Sequence, residues 1–410
     1  MTQLFIFNEI SRAAIYGIGT YIQQLISCLD DEFQINIVNY YSDKPEFTII
    51  ENDNVRELYI PRNQLKYTEG KCDETYFINS VYLLSDFIEP EKKIIFHFNH
   101  FRYEKIFTLL REYWPTCKII LGIHYFNWCF PLNGNTGYFR EIIQKSPDDL
   151  TETLEKDTQN AYKQDFAFLQ NTDQIICLAQ YAKALLCSDY QIPENKISLI
   201  RNGLKDEAIF LTSEEKKAIK EKLHINPNEK IILFVGRLDK IKGVDHLIRA
   251  FKKLLQERKD CRLIIIGDGE YSKCLQECKD DWGKILFTGK LSKEEVYQFY
   301  RLADIGVMLS KHEQCSFVAI EMMMHGIPII ASNSTGLDEM VIDGVNGYKI
   351  KTIENKDEVS FDTDECCRLL SLALNNNKEE ELKNKCRRQY ETHYSLACMK
   401  EKMQTLYKLI

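Results

Sequence analysis

The sequence lacks the features that mark a membrane-spanning or metal-binding chain. None of its apolar runs approaches the roughly 18 residues that a membrane-spanning helix needs. The 14 cysteines show no paired spacing typical of structural metal sites, and Cys117 and Cys177 lie in apolar, strand-like runs as small hydrophobes. The first seven residues predict a strand rather than an export signal. We therefore expect a cytoplasmic protein with reduced thiols.

An excess of positive charge is also missing, most clearly in the first half. Residues 1–200 contain 18 Lys and Arg against 27 Asp and Glu, whereas residues 201–410 contain 35 against 34. An acidic surface repels nucleic acids and anionic membranes. The charge distribution therefore predicts no nucleic-acid partner and disfavours peripheral membrane contact, so that a soluble acceptor is favoured over a membrane-bound one.

The length of 410 residues predicts two domains, each able to bury a full core. Strand and helix patterns alternate, which indicates parallel sheets covered by helices on both faces. We place one domain at residues 1–200, a second at 201–390 and a final helix within 391–410. Predicted strands are 4–7, 35–41, 93–98, 118–123, 174–178, 230–235, 262–266, 284–287, 305–309 and 328–331. Predicted helices are 18–29, 79–87, 103–113, 157–170, 244–255, 317–324 and 395–409, with a helix and turn over 210–228.

Residues 127–149 follow neither pattern. Pro131, Gly134, Gly137 and Pro147 interrupt this stretch, which predicts an irregular segment. Long structureless segments inside a compact domain are often functional lids, and we interpret this one in that way.

Two glutamates, Glu313 and Glu321, stand eight positions apart at a predicted strand-to-helix turn. Such turns at the carboxyl edge of a parallel sheet are where α/β proteins bind ligands, and free amides at a helix start suit an anionic or polar ligand. Two carboxylates there can hold a sugar and a ribose at once. The spacing alone fits equally well an acid at a helix start followed by a solvated helix residue.

A second segment favours a ligand site over the alternative of solvated acids. Residues 231–235 form an apolar run that ends at Gly236, and Arg237, Lys242 and Gly243 follow before a predicted helix. A diphosphate needs close backbone approach at glycine and cations that neutralise its oxygens. Because the two cations follow a buried strand rather than lying along a helix face, the pattern favours a phosphate site over solvated surface charges.

These segments together resemble the retaining glycosyltransferases of family 4, and the likeness is strongest over residues 197–350. The motifs that carry it stand in one order and spacing: 200–203, 236–243, 266–269, 287–289, 313–321 and 344–347. The resemblance implies an α/β protein of the GT-B fold. Two Rossmann-like domains would face each other across a cleft, with the carboxyl-terminal helix crossing back to the amino-terminal domain.

The resemblance also implies site residues. Arg237 and Lys242 would bind the donor diphosphate, Glu313 would hold the donor sugar and Glu321 the ribose hydroxyls. Main-chain groups would complete the donor site at Gly236, Gly289, Cys315, Ser316 and Phe317. Relatives often carry glycine where Ser316 stands, which leaves the detail of that loop open. With two cations at the diphosphate no metal is required, and we interpret the Asp362-Thr-Asp364 sequence as a loop rather than a metal site.

In the first half, the resemblance places a histidine facing the acceptor after the strand 118–123, and His124 stands there; a purely structural histidine is the alternative. Gly17 and Gly19 would allow the donor to approach the start of the first helix closely. A dinucleotide site is excluded because Ile22 replaces the third glycine and no acid ends the second strand. His97 and His100 are three residues apart on a predicted strand and so would not share a metal.

The resemblance thus predicts a retaining, metal-independent glycosyltransferase without a cofactor. Its substrate would be a nucleotide diphosphate sugar, UDP being favoured over GDP, and its acceptor a hydroxyl of a glycan, a lipid-linked glycan or a peptide. The roles of catalysis would fall to Glu313, His124, Arg237 and Lys242. Alternatives that share the fold are a sugar-nucleotide epimerase, a phosphorylase and a non-catalytic scaffold subunit. A hydrolase using both glutamates would leave the two cations unexplained.

Overall fold

Runs rich in isoleucine, leucine and phenylalanine alternate with helix-forming segments along the chain, and these runs form the strands of two sheets. The computed structural model describes residues 1–10, 17–52, 54–62, 71–100, 105–356, 358–375 and 379–410, without the side chains of residues 71–74 and 280. In its first half the strands are β1 (Thr2–Glu9), β2 (Phe33–Ser42), β3 (Thr48–Asn52), β4 (Val55–Pro61), β5 (Lys93–Phe98), β6 (Lys118–Ile123), β7 (Gln174–Cys177) and β8 (Ile197–Leu199). The helices there are α1 (Gly17–Cys28), α2 (Lys71–Ser85), α3 (Lys105–Tyr113), α4 (Thr136–Gln144), α5 (Thr153–Gln170) and α6 (Gln180–Ser188).

The first sheet has the strand order β3-β4-β2-β1-β5-β6-β7-β8. The β3–β4 pair is antiparallel and the other pairs are parallel. Strand β1 is fully buried at Leu4, Phe5 and Ile6, because helices cover both faces of a parallel sheet. Its neighbours are β2 and β5, so the strand order reverses direction at β1.

The second half begins with α7 (Ser213–Lys222). Its strands are β9 (Lys230–Val235), β10 (Cys261–Ile266), β11 (Ile285–Gly289), β12 (Ile305–Met308), β13 (Ile329–Ser332), β14 (Gly347–Ile350), β15 (Thr352–Glu354) and β16 (Val359–Phe361). The remaining helices are α8 (Val244–Glu257), α9 (Tyr271–Cys278), α10 (Lys293–Leu302), α11 (Phe317–Met324), α12 (Thr335–Met340), α13 (Thr363–Leu374), α14 (Glu379–His393) and α15 (Leu396–Leu409).

The second sheet is parallel throughout, in the order β11-β10-β9-β12-β13-β14. Strands β15 and β16 form a separate antiparallel hairpin. Helix α8 packs an apolar stripe on this sheet, with buried residues at helical spacing: Val244, Leu247, Ile248, Phe251, Leu254 and Leu255. The strand order reverses at β9, because the chain adds β10 and β11 on one side and β12 on the other.

Contacts divide the chain into two units. The first comprises Met1–Asn127, Ser146–Asn202 and Leu396–Ile410, and the second comprises Trp128–Lys145 and Gly203–Ser395. The last helix, α15, packs on α1, where Gln404 Nε2 donates to the Cys28 carbonyl oxygen at 3.1 Å. Its Tyr407 hydroxyl lies 2.6 Å from His97 Nδ1. This helix therefore belongs to the amino-terminal unit, although its sequence follows the second unit.

The structure departs locally from several expectations drawn from the sequence. The hairpin β3–β4 had not been predicted, and α2 begins at Lys71 rather than at residue 79. The segment 127–149 is not irregular, since it contains α4 and two short 3₁₀ turns and buries Trp128, Phe139 and Ile142. Its central part, Trp128–Lys145, groups with the second unit, whereas the prediction had placed it within the 1–200 domain.

No helix in the described part of the chain has both the length and the apolar character that crossing a bilayer demands.

Candidate functional site

The best-developed candidate site lies at the carboxyl ends of β9 and β12. The strand order of the second sheet reverses between these neighbours, and in open α/β sheets ligands bind at this kind of position. Residues 236–242 follow β9, and residues 309–316 follow β12. The two loops are joined by a hydrogen bond from the Lys311 amide to the Ile241 carbonyl oxygen, 2.7 Å long.

The loop after β9 carries the two predicted cations. Asp239 caps the 3₁₀ turn Lys240–Lys242, since its side chain accepts a hydrogen bond from the Lys242 amide at 3.1 Å. The guanidinium of Arg237 pairs with the same aspartate at 3.1 Å and remains 43% exposed. Asp239 therefore fixes the backbone at Lys242 and pairs with the Arg237 side chain, which stays open to a ligand.

Gly243 lets this loop approach its neighbour. Its φ of +66° is in the left-handed region that favours glycine, and an added Cβ would collide with the Leu309 carbonyl oxygen at the end of β12. The residue ends the turn that carries Lys242 and begins α8 at once. The sequence predicts this glycine at a phosphate site, which stays a prediction; in the structure it sets the spacing of the two loops.

Glu313 is the acid that the structure brings to Lys242. Its carboxylate forms an ion pair with the Lys242 ammonium and accepts a hydrogen bond from the Ser310 hydroxyl at 2.9 Å. Both charged side chains are largely covered, at 13% exposure for Glu313 and 21% for Lys242. The pair holds the acid and the cation together at the edge of the sheet, and a ligand phosphate would compete with Glu313 for Lys242.

The backbone of Glu313 is fixed by a residue that sequence reasoning missed. The Thr335 hydroxyl accepts from the Glu313 amide at 2.8 Å and donates to its carbonyl oxygen at 2.6 Å. The Gly336 amide also donates to that oxygen, at 2.8 Å. Thr335 has the unusual φ of +41°, and it follows β13, the strand beside β12. A non-glycine residue held in this conformation is a signal of function, but it is visible only in the structure.

Glu321 lies on α11 in a different polar cluster. Its carboxylate accepts a hydrogen bond from the Tyr300 hydroxyl at 2.8 Å. Enclosure of the carboxyl group by protein raises the pKa of Glu321 to about 7, and the hydrogen bond from Tyr300 opposes that rise. This carboxyl group therefore gains or loses its proton near neutral pH. Hydroxyl donors from a bound ligand would favour its ionised form.

The remaining predicted donor contacts lie around these loops. Ser316 caps α11 and accepts from the Ala319 amide at 3.4 Å, Cys315 is buried beside it, and Phe317 is the first helical residue. Gly236 ends β9 with φ of +153°, and Gly289 ends β11 with φ of +77°. All of these predicted positions lie at loop edges or helix starts of the second unit.

The first unit presents a second polar cluster at its own strand reversal, between β1 and β5. His124 Nε2 lies 3.0 Å from Asn99 Oδ1, and its ring packs edge-on against Tyr21 at 4.5 Å. Burial, together with His100 and His97, places the pKa of His124 well below its ordinary value. This shift favours the neutral imidazole, in which one ring nitrogen donates a hydrogen bond and the other accepts one.

His97 and His100 lie close to this cluster but have separate partners. Burial lowers the pKa of His97 to about 3, and this ring is bound by Tyr407. His100 Nδ1 lies 3.3 Å from the Tyr125 hydroxyl and 4.0 Å from Glu9. Gly17 and Gly19 begin α1, while the residues before them, 11–16, lie outside the described part of the chain.

The structure assigns the Asp362-Thr-Asp364 sequence a local role. Asp362 caps α13, accepting from the Asp364 amide at 2.8 Å and the Glu365 amide at 3.1 Å. The Asp362 carboxylate therefore caps the amino-terminal end of α13. Within the described ranges, no group of three or more His, Cys, Asp or Glu side chains is arranged to hold a metal ion.

The family model that matches this chain covers part of the second unit. Residues 215–386 match the family model described as Glycosyl transferases group 1. An uncharacterized glycosyltransferase of Methanocaldococcus jannaschii is 32% identical over 213 residues, which are 51% of this chain and 54% of that protein. The lipopolysaccharide 1,2-N-acetylglucosaminetransferase of Salmonella typhimurium is 26% identical over 235 residues, 55% and 59% of the two chains. The alpha-monoglucosyldiacylglycerol synthase of Streptococcus pneumoniae is 28% identical over 186 residues, 44% and 42%. The matches span about half the length of these relatives.

Structure comparison covers the whole chain. Sucrose-phosphate synthase from Thermosynechococcus elongatus superposes with a TM-score of 0.77 at 17% identity, covering 100% of this chain and 99% of that one. Anabaena HepE, solved in complex with UDP and glucose, gives 0.69 at 13% identity and covers 100% of both chains. At these identities the likeness shows the fold alone. The predicted α/β class, the GT-B fold with two Rossmann-like domains, is confirmed.

Proposed function

We propose that this protein is a glycosyltransferase that moves a sugar from a nucleotide diphosphate sugar to a hydroxyl acceptor. The observation that carries the proposal is the pairing of Lys242 with Glu313 where β9 and β12 end. A cation and an acid fixed side by side there suit the two halves of such a donor, its diphosphate and its sugar. The match of residues 215–386 to the glycosyltransferase family model supports it.

The chemistry follows from where charge develops. As the nucleoside diphosphate departs, negative charge accumulates on its oxygens. Arg237 and Lys242 would stabilise that charge more strongly than the ground state, which accelerates the reaction. Two such cations would do this without a metal ion. Glu321 would accept hydrogen bonds from the ribose hydroxyls, and main-chain groups at Gly236, Gly289 and residues 315–317 would line the donor.

We further propose that the transfer retains configuration at the sugar. Attack of the acceptor on the same face that the diphosphate leaves needs no protein nucleophile, and the departing phosphate can take the acceptor proton. Glu313, already engaged by Lys242 and Ser310, would hold a sugar hydroxyl in this arrangement. Its role is to position the sugar and stabilise its charge.

The acceptor would bind the first unit near His124, whose neutral ring is oriented by Asn99. Among the relatives, one is named for a lipopolysaccharide sugar acceptor and another for a diacylglycerol glycolipid. For this chain we propose a hydroxyl of a glycan, a lipid-linked glycan or a peptide. We propose UDP rather than GDP as the donor nucleotide, in keeping with the UDP that HepE holds.

A thermal-shift panel of UDP, GDP, ADP and TDP sugars tests the proposal. A bound donor stabilises the folded state by about 2.7 kcal/mol at a hundredfold excess over its Kd, so the matching donor should raise the Tm measurably. Arg237→Gln and Lys242→Gln should abolish that rise, whereas Lys240→Gln should keep it, because Lys240 is an exposed cation of the same turn.

Product analysis separates transfer from its alternatives. Incubation of the stabilising donor with candidate acceptors should yield a glycoside with the donor's anomeric configuration. An epimerised nucleotide sugar formed without acceptor would instead indicate an epimerase. Wild-type protein that is not stabilised by any sugar nucleotide would contradict the proposal.

A further inference from the structure

Residues Trp128–Lys145, hereafter the strap, belong by contacts to the second unit although their sequence lies within the first. The strap turns at Gly134 and then forms α4 (Thr136–Gln144). Asn135 begins that helix: its side-chain oxygen accepts from the Tyr138 amide at 2.9 Å. The strap is thus an ordered element with its own cap, attached to a unit with which it is not contiguous in sequence.

The strap lies directly on the loop that carries Glu313. At Gly134, where φ is +81°, an added Cβ would come 2.7 Å from the His312 Cβ and 2.9 Å from the Lys311 carbonyl oxygen. Contacts this close leave no room for any side chain. The backbone of the strap therefore rests against the two residues that precede Glu313.

Stacked aromatic rings also contribute to the contact between the strap and the loop that carries Glu313. The Trp128 indole stacks on Phe139 of α4 with centroids 4.1 Å apart and an angle of 13° between planes. The indole also packs nearly perpendicular to the His312 ring, with centroids 5.6 Å apart and 76° between the planes. Both Trp128 and His312 are buried, and burial lowers the pKa of His312 to about 4. A neutral ring is therefore enclosed between the strap and Glu313.

The far end of the strap is fixed by the hairpin β15–β16. Asn135 Nδ2 donates to the Asn355 carbonyl oxygen at 2.6 Å, and the Lys356 ammonium lies 5.4 Å from the centre of the Tyr138 ring. The hairpin also reaches the site loop, because Glu358 lies 3.8 Å from the buried Lys311 ammonium. Strap and hairpin together hold residues 311 and 312 from outside the sheet.

We propose that the strap is a positioning element for Glu313, with Gly134, Trp128 and His312 as its positioning residues. The Lys311 amide is bound to Ile241 on the cation loop, and the Glu313 amide to Thr335. The strap presses the backbone between these two hydrogen bonds and so fixes where the Glu313 carboxylate meets the donor sugar. This inference rests on the proposed function for its catalytic consequence and on contacts alone for its structural part.

The test compares two glycine variants that share backbone strain but differ in contacts. Gly134→Ala introduces both a left-handed alanine and the collision with residues 311 and 312. Gly344→Ala introduces a left-handed alanine at φ of +69° with nothing within 4 Å of the added carbon. We expect hydrogen exchange at the Lys311 and Glu313 amides to become at least about tenfold faster in Gly134→Ala than in Gly344→Ala, with circular dichroism showing both folded.

The kinetic arm uses the donor identified by thermal shift. Because displacement of a positioned group by about 1 Å can cost about a hundredfold in rate, kcat should fall about ten- to hundredfold in Gly134→Ala. The Kd for the nucleoside diphosphate should stay within about threefold, since the backbone amide of Lys242 is held separately by the Asp239 carboxylate. Gly344→Ala should change neither quantity by more than about twofold.

A second variant protects the test against a folding defect in Gly134→Ala. Trp128→Ala should accelerate exchange at Lys311 and Glu313, and Trp128→Phe, which retains an aromatic ring on Phe139, should restore most of the protection. Equal exchange at those amides in all variants would overturn the proposal, as would a loss of diphosphate affinity as large as the loss of kcat. If wild-type protein binds no sugar nucleotide, the proposed function fails by itself, and the exchange comparison still decides whether the strap holds the loop.

Discussion

Neutralising Glu313 should have opposite effects on nucleotide binding and on transfer. Lys242 is paired with Glu313, so a diphosphate must compete for a cation that already has a partner. Glu313→Gln removes that competitor and the negative charge beside the phosphate, while the Ser310 hydroxyl can still donate to the amide oxygen.

The magnitude follows from the burial of the pair. Hydrogen bonds to charged groups contribute about 1.5–3 kcal/mol net, and the partial exposure of Lys242 lowers that contribution. Releasing Lys242 should therefore strengthen diphosphate binding by about 1 kcal/mol, or about fivefold in Kd. Transfer should fall about a hundredfold or more, because an ionised group that stabilises the reacting sugar is lost.

Isothermal titration with the nucleoside diphosphate and steady-state transfer assays measure the two effects on the same preparations. Glu294→Gln is the matched control, since Glu294 is an exposed acid of α10 in the same unit, and it should alter neither quantity. A Glu313→Gln variant that binds the diphosphate tenfold more weakly would show that Glu313 does not compete for Lys242, and transfer at the wild-type rate would exclude Glu313 from the reaction.

Three further predictions concern other residues of the site. Because the pKa of Glu321 rises from 4.5 to about 7 on folding, the folded state retains a proton that the unfolded state releases between those values. The free energy of unfolding should therefore fall across that pH window, by at most about 3 kcal/mol. Glu321→Gln should lose this dependence in urea unfolding at pH 5 and 7.5, and parallel behaviour with wild type would contradict the assignment. Gly243→Ala should lower the free energy of unfolding in urea by about 1–3 kcal/mol. The loss should exceed that of Gly344→Ala, because only the added carbon at residue 243 collides with Leu309. Equal losses would show that Gly243 does not set the spacing of the two loops. Thr335→Val should lower the free energy of unfolding by about 1–3 kcal/mol, because it leaves the Glu313 amide unpaired, and it should also lower kcat. Thr335→Ser should preserve the stability and kcat. A Val variant as stable and active as the Ser variant would show that the hydroxyl has no such role.

The local sequence pattern was sufficient to predict the sheet that carries the candidate site. Strand β9, helix α8 and helix α11 follow from apolar runs and helical spacing, so the loops with Arg237, Lys242 and Glu313 could be placed at one sheet edge from sequence. Parallel strands with helical crossovers bring their carboxyl ends to the same edge. That rule is enough to predict that Lys242 and Glu313 lie near each other, but it does not give the direct ion pair.

The contacts that fix Glu313 could not be read in this way. Thr335 lies 22 residues further along the chain, and its left-handed backbone depends on the surrounding structure rather than on local propensity. The strap carried proline and glycine, which indicated an irregular lid, yet its order comes from long-range packing of Trp128 on Phe139 and His312. Tertiary contacts of this kind override the local signal.

The first unit shows the same limit. Strand β3 has only five residues and exposes Ile49, so the hairpin β3–β4 did not stand out from loop sequence. His124 was predicted at a strand end, but its partner Asn99 comes from the neighbouring strand. Pairing between strands, and with it the partner of each side chain, depends on register that the single sequence does not encode visibly.

A crystal structure of the protein with the sugar nucleotide that stabilises it would locate the donor. We expect the diphosphate between Arg237 and Lys242 at the end of β9, with the sugar against Glu313 and the ribose against Glu321. A nucleotide bound elsewhere, with Lys242 still paired to Glu313 and Arg237 still paired to Asp239, would contradict this expectation.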